Sequence, residues 1–294
     1  MTGRGPLVGA HMSAAGGLER AIGRGVAAGS RTIQLFTRNS NQWAGKPVSE
    51  QEAAVFRAAA ARAGFSPLVS HSAYLINLGS SDPLIRARSV AALRDELVRC
   101  HELGIPFLVL HPGTHGGDGE AIGIDRIARG IDAALEAAGI DGVDVLLETA
   151  AGQGACVGHS FGQLKAIRNR SSAPGRIAVC LDTCHVHAAG YDVVSTEGWR
   201  QTLDELDDQI GLSLVKVIHA NDSKRERGCR VDRHERIGHG AMGEKAFAHV
   251  MQERAFRDVP KILETPKDDA GAWDREGLAA LRRLAGRNSR NSGS

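Results

Sequence analysis

The sequence predicts an α/β fold: a single (β/α)8 TIM barrel with its active site at the C-terminal strand ends. Three observations predict it. Short apolar runs alternate eight times with longer segments of helical character, and such alternation means parallel strands joined by helical crossovers. Eight units in 294 residues, with no linker or break in composition, suit a closed barrel better than an open sheet. Six consecutive apolar runs also deliver a His, Asp or Glu at their ends or just beyond. That is where a barrel of this kind carries its chemistry.

The units follow in order. An apolar run at 7–10 precedes a helical stretch at 17–28. The run at 32–36 leads to a helix over 49–63, with Ser49 placed to cap it and Gly64 to end it. The run at 68–70 leads to the clearest helix, 82–103, capped by Asp82, with Pro83 at its first position and Gly104 after its last. Runs at 107–110 and 144–147 precede helical segments at 120–138 and 160–169. The β-branched run at 177–181 reads as a buried strand before a helix at 196–210. Runs at 215–218 and 261–263, with helices at 243–254 and 273–284, complete the set. Residues 1–285 are therefore expected to form one domain, and the polar stretch 286–294 a disordered tail.

Composition bounds the function. The chain is 42% hydrophobic and 24% charged, so one large core is within reach. A net charge of +2 supplies no global basic field, and a nucleic-acid partner must be met by a local surface. Five cysteines without a C-x-x-C pair suggest a reducing compartment, hence a cytoplasmic protein. No apolar run approaches a membrane span and no signal core opens the chain, so no membrane partner is expected.

The strand ends carry the informative residues: His71, His111, Glu148, Asp182, His185, His219 and Glu264, with Asp232 and His234 in the long loop after the seventh run. Taken singly, each histidine is more often a hydrogen-bonded strand-end residue than a ligand. Recurrence at successive strand ends favours a metal centre. Five imidazoles and four carboxylates suit zinc, with manganese or iron as alternatives, whereas magnesium prefers oxygen. Nine donors exceed one ion and suit three. Three divalent ions against four carboxylates leave about +2, which favours an anionic substrate such as a phosphodiester. His11 can support the site without being a ligand, and His115, His187 and His239 lie near the mouth. His101, His159 and His249 read as surface or structural residues in helical segments, and Cys180 and Cys184 as packing. The rival reading is a one-metal sugar isomerase or epimerase using only Glu148, Asp182, His219 and Glu264.

Several motifs resemble the endonuclease IV family, the zinc-dependent apurinic/apyrimidinic endonucleases of base excision repair. They are G-A-H-M-S-A-A-G-G-L, H-S-A-Y-L-I-N-L-G, L-H-P-G-T-H, L-E-T-A-A-G-Q-G, C-L-D-T-C-H-V-H-A-A-G-Y-D and the stretch from H-A-N-D-S-K through R-V-D-R-H-E-R-I-G-H-G. The resemblance runs in order from Leu7 to Pro266. It implies a trinuclear zinc site: His71, His111 and a bridging Glu148 for one ion; Asp182, His219 and Glu264 completing the second; His185, Asp232 and His234 for the third. It implies hydrolysis 5′ to an abasic site, giving a 3′-hydroxyl and a 5′-deoxyribose phosphate, with trimming of blocked 3′ ends. Glu264 and Glu148 would be catalytic, Glu264 orienting the nucleophile or taking its proton. The expected partner is double-stranded DNA, bent and with the lesion flipped out, met by a monomer. Tyr74 and Leu75 match the family's wedge, Asn41, Gln42 and Trp43 its second DNA-facing loop, and Lys224, Arg230 and Arg233 phosphate contacts. Two departures stand out: Asn41 replaces an inserting arginine, with Arg38 nearby, and His239 stands where an acid is common.

Overall fold

Each apolar run forms one strand of a closed, all-parallel barrel in a computed structural model that describes residues 5–286. The strands are β1 (Val8–His11), β2 (Thr32–Leu35), β3 (Val69–His71), β4 (Phe107–Leu110), β5 (Asp144–Glu148), β6 (Ile177–Asp182), β7 (Val215–His219) and β8 (Lys261–Leu263). They pair in sequence order, and β1 closes the ring against β8 through Ala10 opposite Leu263.

The two-residue period of a strand explains where the polar residues go. A small core inside the barrel is built from Val69, Val109, Leu146, Ala178, Cys180, Val217 and Ile262. Two residues onward in the same phase stand His71, His111, Glu148, Asp182, His219 and Glu264. The alternation that fills the lumen with aliphatic side chains thus delivers six polar ones to its upper rim. The opposite phase packs outward, with Ile177, Val179 and Leu181 joining a larger core beneath the helices.

The helices are α1 (Leu18–Ala28), α2 (Glu50–Ala63), α3 (Pro83–Leu103), α4 (Glu120–Ala138), α5 (Phe161–Arg170), α6 (Thr183–Ala189), α7 (Thr196–Gln209), α8 (Gly243–Gln252) and α9 (Ala272–Ala285). Ser49 and Glu52 form a capping box, and the Asp82 side chain accepts the Leu84 amide at 2.8 Å. Helix α6 is an addition to the sequence reading, which assigns no element to residues 183–189. Asp182 caps it by accepting the His185 amide at 2.8 Å. His159 precedes α5, whose cap is Ser160, and so lies outside the helix in which the sequence reading puts it. Two short antiparallel ribbons brace the rim, pairing 113–114 with 156–157 and 222–223 with 234–235. No described helix is long and apolar enough to cross a membrane. Residues 287–294 of the expected tail lie outside the described residues.

Candidate metal centre at the barrel mouth

All nine candidate ligands converge. The donor atoms of His71, His111 and Glu148 lie within 4.8 Å of one another, as do those of Glu148, Asp182, His219 and Glu264, and those of His185, Asp232 and His234. Glu148 joins the first two sets: Oε2 lies 3.2 Å from His71 Nε2 and 3.4 Å from His111 Nε2, while Oε1 lies 2.9 Å from His219 Nδ1. In the third set, Asp232 faces His185 at 3.2 Å and His234 at 3.3 Å. Asp182, Cys184 and His234 form a further triad. Burial pushes the Cys184 thiol up, and its Sγ lies 3.8 Å from the Arg233 carbonyl, so it stays a neutral packing group.

The outer hydrogen bonds of the histidines decide what the inner atoms offer. His71 Nδ1 bonds the Ser72 carbonyl at 2.7 Å, His185 Nδ1 the Thr149 carbonyl at 2.7 Å, and His234 Nδ1 the Glu264 carbonyl at 3.2 Å. A carbonyl only accepts, so each of these nitrogens carries a proton, and a ring that holds no second proton turns a lone pair inward. His219 does the same in the other sense, with Nε2 at 2.8 Å from Gln34 Oε1. Such lone pairs meet carboxylate oxygens, acceptor against acceptor, which is repulsive unless a proton or a metal cation stands between them. Accordingly, the Nε2 atoms of His185 and His234 are buried without a hydrogen-bond partner. Divalent ions fit this arrangement, and a mixed imidazole and carboxylate set with fixed outer partners suits zinc.

The same field sets the proton affinities. Burial pushes the Glu148 carboxyl up, but His111 and His219 outweigh it and hold the group well below the usual range. Burial pushes His185 down, and Asp182, Asp232 and Glu148 more than reverse it. His11, expected to support the site, lies 3.3 Å from Glu264 Oε1, and burial lowers its pKa.

Several positioning residues escape the sequence reading. Gln34 donates to Glu264 Oε1 at 2.5 Å while reaching His219. Asn221 donates to Asp182 Oδ2 at 2.6 Å and accepts the Glu264 amide at 2.8 Å. Thr149 Oγ1 accepts the Asp182 amide at 2.9 Å. The signal for Gln34 is a lone amide inside the apolar run T-I-Q-L. Among the other histidines, His115 accepts the amides of Gly117 and Gly119, and His239 lies 3.9 Å from Glu276. His187 is buried within α6, and His249 stacks on Trp199.

Above the cluster, Tyr74 is 62% exposed, its ring 5.8 Å from His71 and 5.3 Å from Phe36. Leu75 beside it is half-buried. A cavity of about 480 Å³ lies under Tyr74, bounded by Asp232, Arg233, His234, Glu264 and Lys267. Lys224, Arg230 and Arg233 are exposed on the long loop, and Arg230 adopts a left-handed φ of 55°. Asn41 and Gln42 are exposed, whereas Trp43 packs partly into the core. Arg38 is not free to take the place of the arginine absent at Asn41. Its guanidinium is buried 2.6 Å from Glu96 Oε1, and the same oxygen accepts the Ala73 amide at 3.1 Å.

Residues 23–284 match the family described as xylose isomerase-like TIM barrel, a class defined by this fold. The chain is 46% identical over 278 residues to the probable endonuclease 4 of Citrifermentans bemidjiense, covering 95% of this chain and 98% of that one. It is 48% identical over 286 residues to the probable endonuclease 4 of Geobacter sulfurreducens, covering 96% and 95%. The endonuclease IV structure from Thermus thermophilus matches with a TM-score of 0.85 and 35% identity over 95% of this chain and 98% of that one. The chain belongs to the endonuclease IV family. A D-tagatose 3-epimerase-like protein shares the fold, with a TM-score of 0.71 at 16% identity over 94% of this chain and 98% of that one.

Proposed function

We propose that this protein hydrolyses the DNA phosphodiester 5′ to abasic sites, leaving a 3′-hydroxyl and a 5′-deoxyribose phosphate, and also trims blocked 3′ ends. Membership of the endonuclease IV family makes it a DNA-cleaving, metal-dependent hydrolase. The observation that carries the finer reading is the meeting of three donor sets, joined by Glu148, beneath an exposed tyrosine. The protein acts as a cytoplasmic monomer, one domain over residues 1–285, with three zinc ions; manganese or iron can replace zinc at one or more positions.

His71, His111 and Glu148 would hold one ion, Glu148 with Asp182, His219 and Glu264 a second, and His185, Asp232 and His234 the third. When bound, such ions acidify water and polarise phosphoryl oxygens. The protein's own residues do the rest. Gln34 and His11 hold Glu264 Oε1, and Oε2, 3.2 Å from His219 Nδ1, is the oxygen that would orient the nucleophile and accept its proton. Arg233 and Lys267 line the cavity and meet phosphate oxygens. Lys224 and Arg230 extend that contact along the strand. Tyr74 and Leu75 fill the gap left by a flipped abasic sugar, whose extrusion is cheap because its base stacking is already lost. Asn41, Gln42 and Trp43 support the opposite side of the bend. A one-ion isomerase would use four of these groups and leave the third set and the tyrosine without purpose.

The test is incision of a synthetic duplex carrying one abasic analogue. Cleavage 5′ to the lesion, abolished by a strong chelator and restored by zinc, is the expected result. A metal-loaded protein that leaves this duplex intact contradicts the proposal.

A further inference from the structure

Asp222 lies just beyond β7, and its carboxylate is fully buried. A buried carboxylate is costly unless its oxygens are paired or hydrogen-bonded. No ion pair to Asp222 is present among the described residues; four backbone amides satisfy it instead. Oδ1 accepts from Ser223 at 2.8 Å and Met242 at 3.0 Å, and Oδ2 from Gly238 at 3.0 Å and Gly240 at 3.1 Å. These donors stand at the two ends of the loop over residues 223–242, so one side chain ties the loop shut at its base. Gly240 permits the approach: a Cβ there would lie 2.4 Å from the Ser223 carbonyl oxygen and 2.5 Å from Asp222 Oδ1.

That loop carries Asp232 and His234. The other candidate ligands ride on barrel strands, their ends or α6. The Asp232 side chain is 44% exposed, and its carboxylate lies within ion-pair distance of only His185 and His234 among the described residues. Its place depends on the loop backbone. The backbone in turn is registered by the ribbon that sets His234 opposite Ser223, beside the amides that Asp222 gathers.

We infer that Asp222 is a positioning residue for the third ion set, holding the loop so that Asp232 and His234 face His185. The inference rests on the proposed three-ion function. Asp222→Asn keeps the shape but turns an amide donor toward backbone donors. Substitution of groups that orient metal ligands weakens binding by about 10–100-fold. The variant should therefore retain two zinc equivalents after dialysis where the parent retains three. With or without metal, trypsin should cut it faster at Lys224, Arg225 and Arg227.

Gly240→Ala, which crowds the same carboxylate, should behave alike and decides the matter if Asp222→Asn does not fold. Asp132→Asn is the control for a purely structural loss: that carboxylate accepts the Ser172 amide at 2.8 Å, away from the loop, and the variant should keep three ions. An Asp222→Asn protein with the parent's full metal complement and loop cleavage rate overturns the inference, as does loss of an ion from Asp132→Asn. A parent that takes up no metal overturns the proposed function instead. Trypsin cleavage of the metal-free proteins then still judges the hold of Asp222 on the loop: unchanged cleavage refutes it.

Discussion

Replacing Glu96 by alanine removes the carboxylate that ties two rim loops to α3. Its Oε1 meets the Arg38 guanidinium from the 37–43 loop at 2.6 Å and the Ala73 amide, next to Tyr74, at 3.1 Å. The Glu96 and Arg38 side chains are 2% and 4% exposed, so the pair is screened from water. Burial pushes the Glu96 carboxyl up, and Arg38 is the main group pulling it back. Removing one partner of a buried pair strands the other charge, at about 3–5 kcal/mol. Arg38 keeps its bond to the Gln42 carbonyl, which argues for the lower half of that range. Substituting both partners by apolar residues, Glu96→Leu with Arg38→Met, leaves no stranded charge and should recover most of the loss. A urea-unfolding cycle of the parent, Glu96→Leu, Arg38→Met and the double variant should give a coupling of about 2–3 kcal/mol. Metal content should stay at the parent's value in every variant, while preference for abasic over intact duplex falls as the loops lose their common anchor. Additive single effects would refute the reasoning, because they would mean that Arg38 and Glu96 do not depend on each other.

Glu264→Gln preserves the shape of the side chain but not its charge, and incision should fall by at least about 100-fold while abasic DNA still binds. Unchanged turnover would remove Glu264 from the mechanism. Tyr74→Ala should weaken discrimination between abasic and intact duplex in a competition assay; equal preference in variant and parent would reject the wedge role. Lys261 is buried, donates to the Phe256 carbonyl, and is held by burial at a pKa of about 8, below its ordinary 10.5. The fold thus disfavours the ammonium, and the penalty is full below about 8 and fades as pH rises toward 10.5. Between pH 7 and 10 the parent should gain about 2 kcal/mol in unfolding free energy relative to Lys261→Met. Parallel stability curves for the two proteins would contradict that assignment.

The barrel is legible in the sequence because its determinants are local. Apolar runs, caps and helix-ending glycines each sit within a few residues of the element they define, as with Ser49, Asp82 and Gly104. The convergence of His71, Glu148 and Asp182 is legible for a related reason, since every parallel strand ends on the same rim. Three features are not. Helix α6 has seven residues, too short for apolar periodicity, so no element is assigned after D-T-C-H although Asp182 caps a helix there. Arg38 reads as a spare cation beside Asn41 because its partner, Glu96, lies on a helix distant in sequence. Gln34 reads as part of a strand, and only its reach across the lumen to Glu264 and His219 reveals its role.

The central claim is that this rim holds three cations, and zinc-edge anomalous diffraction from crystals grown with zinc addresses it most directly. Three peaks are predicted: one between His71, His111 and Glu148, one among Glu148, Asp182, His219 and Glu264, and one between His185, Asp232 and His234. A single peak confined to the second set would contradict the account and point to one-ion chemistry.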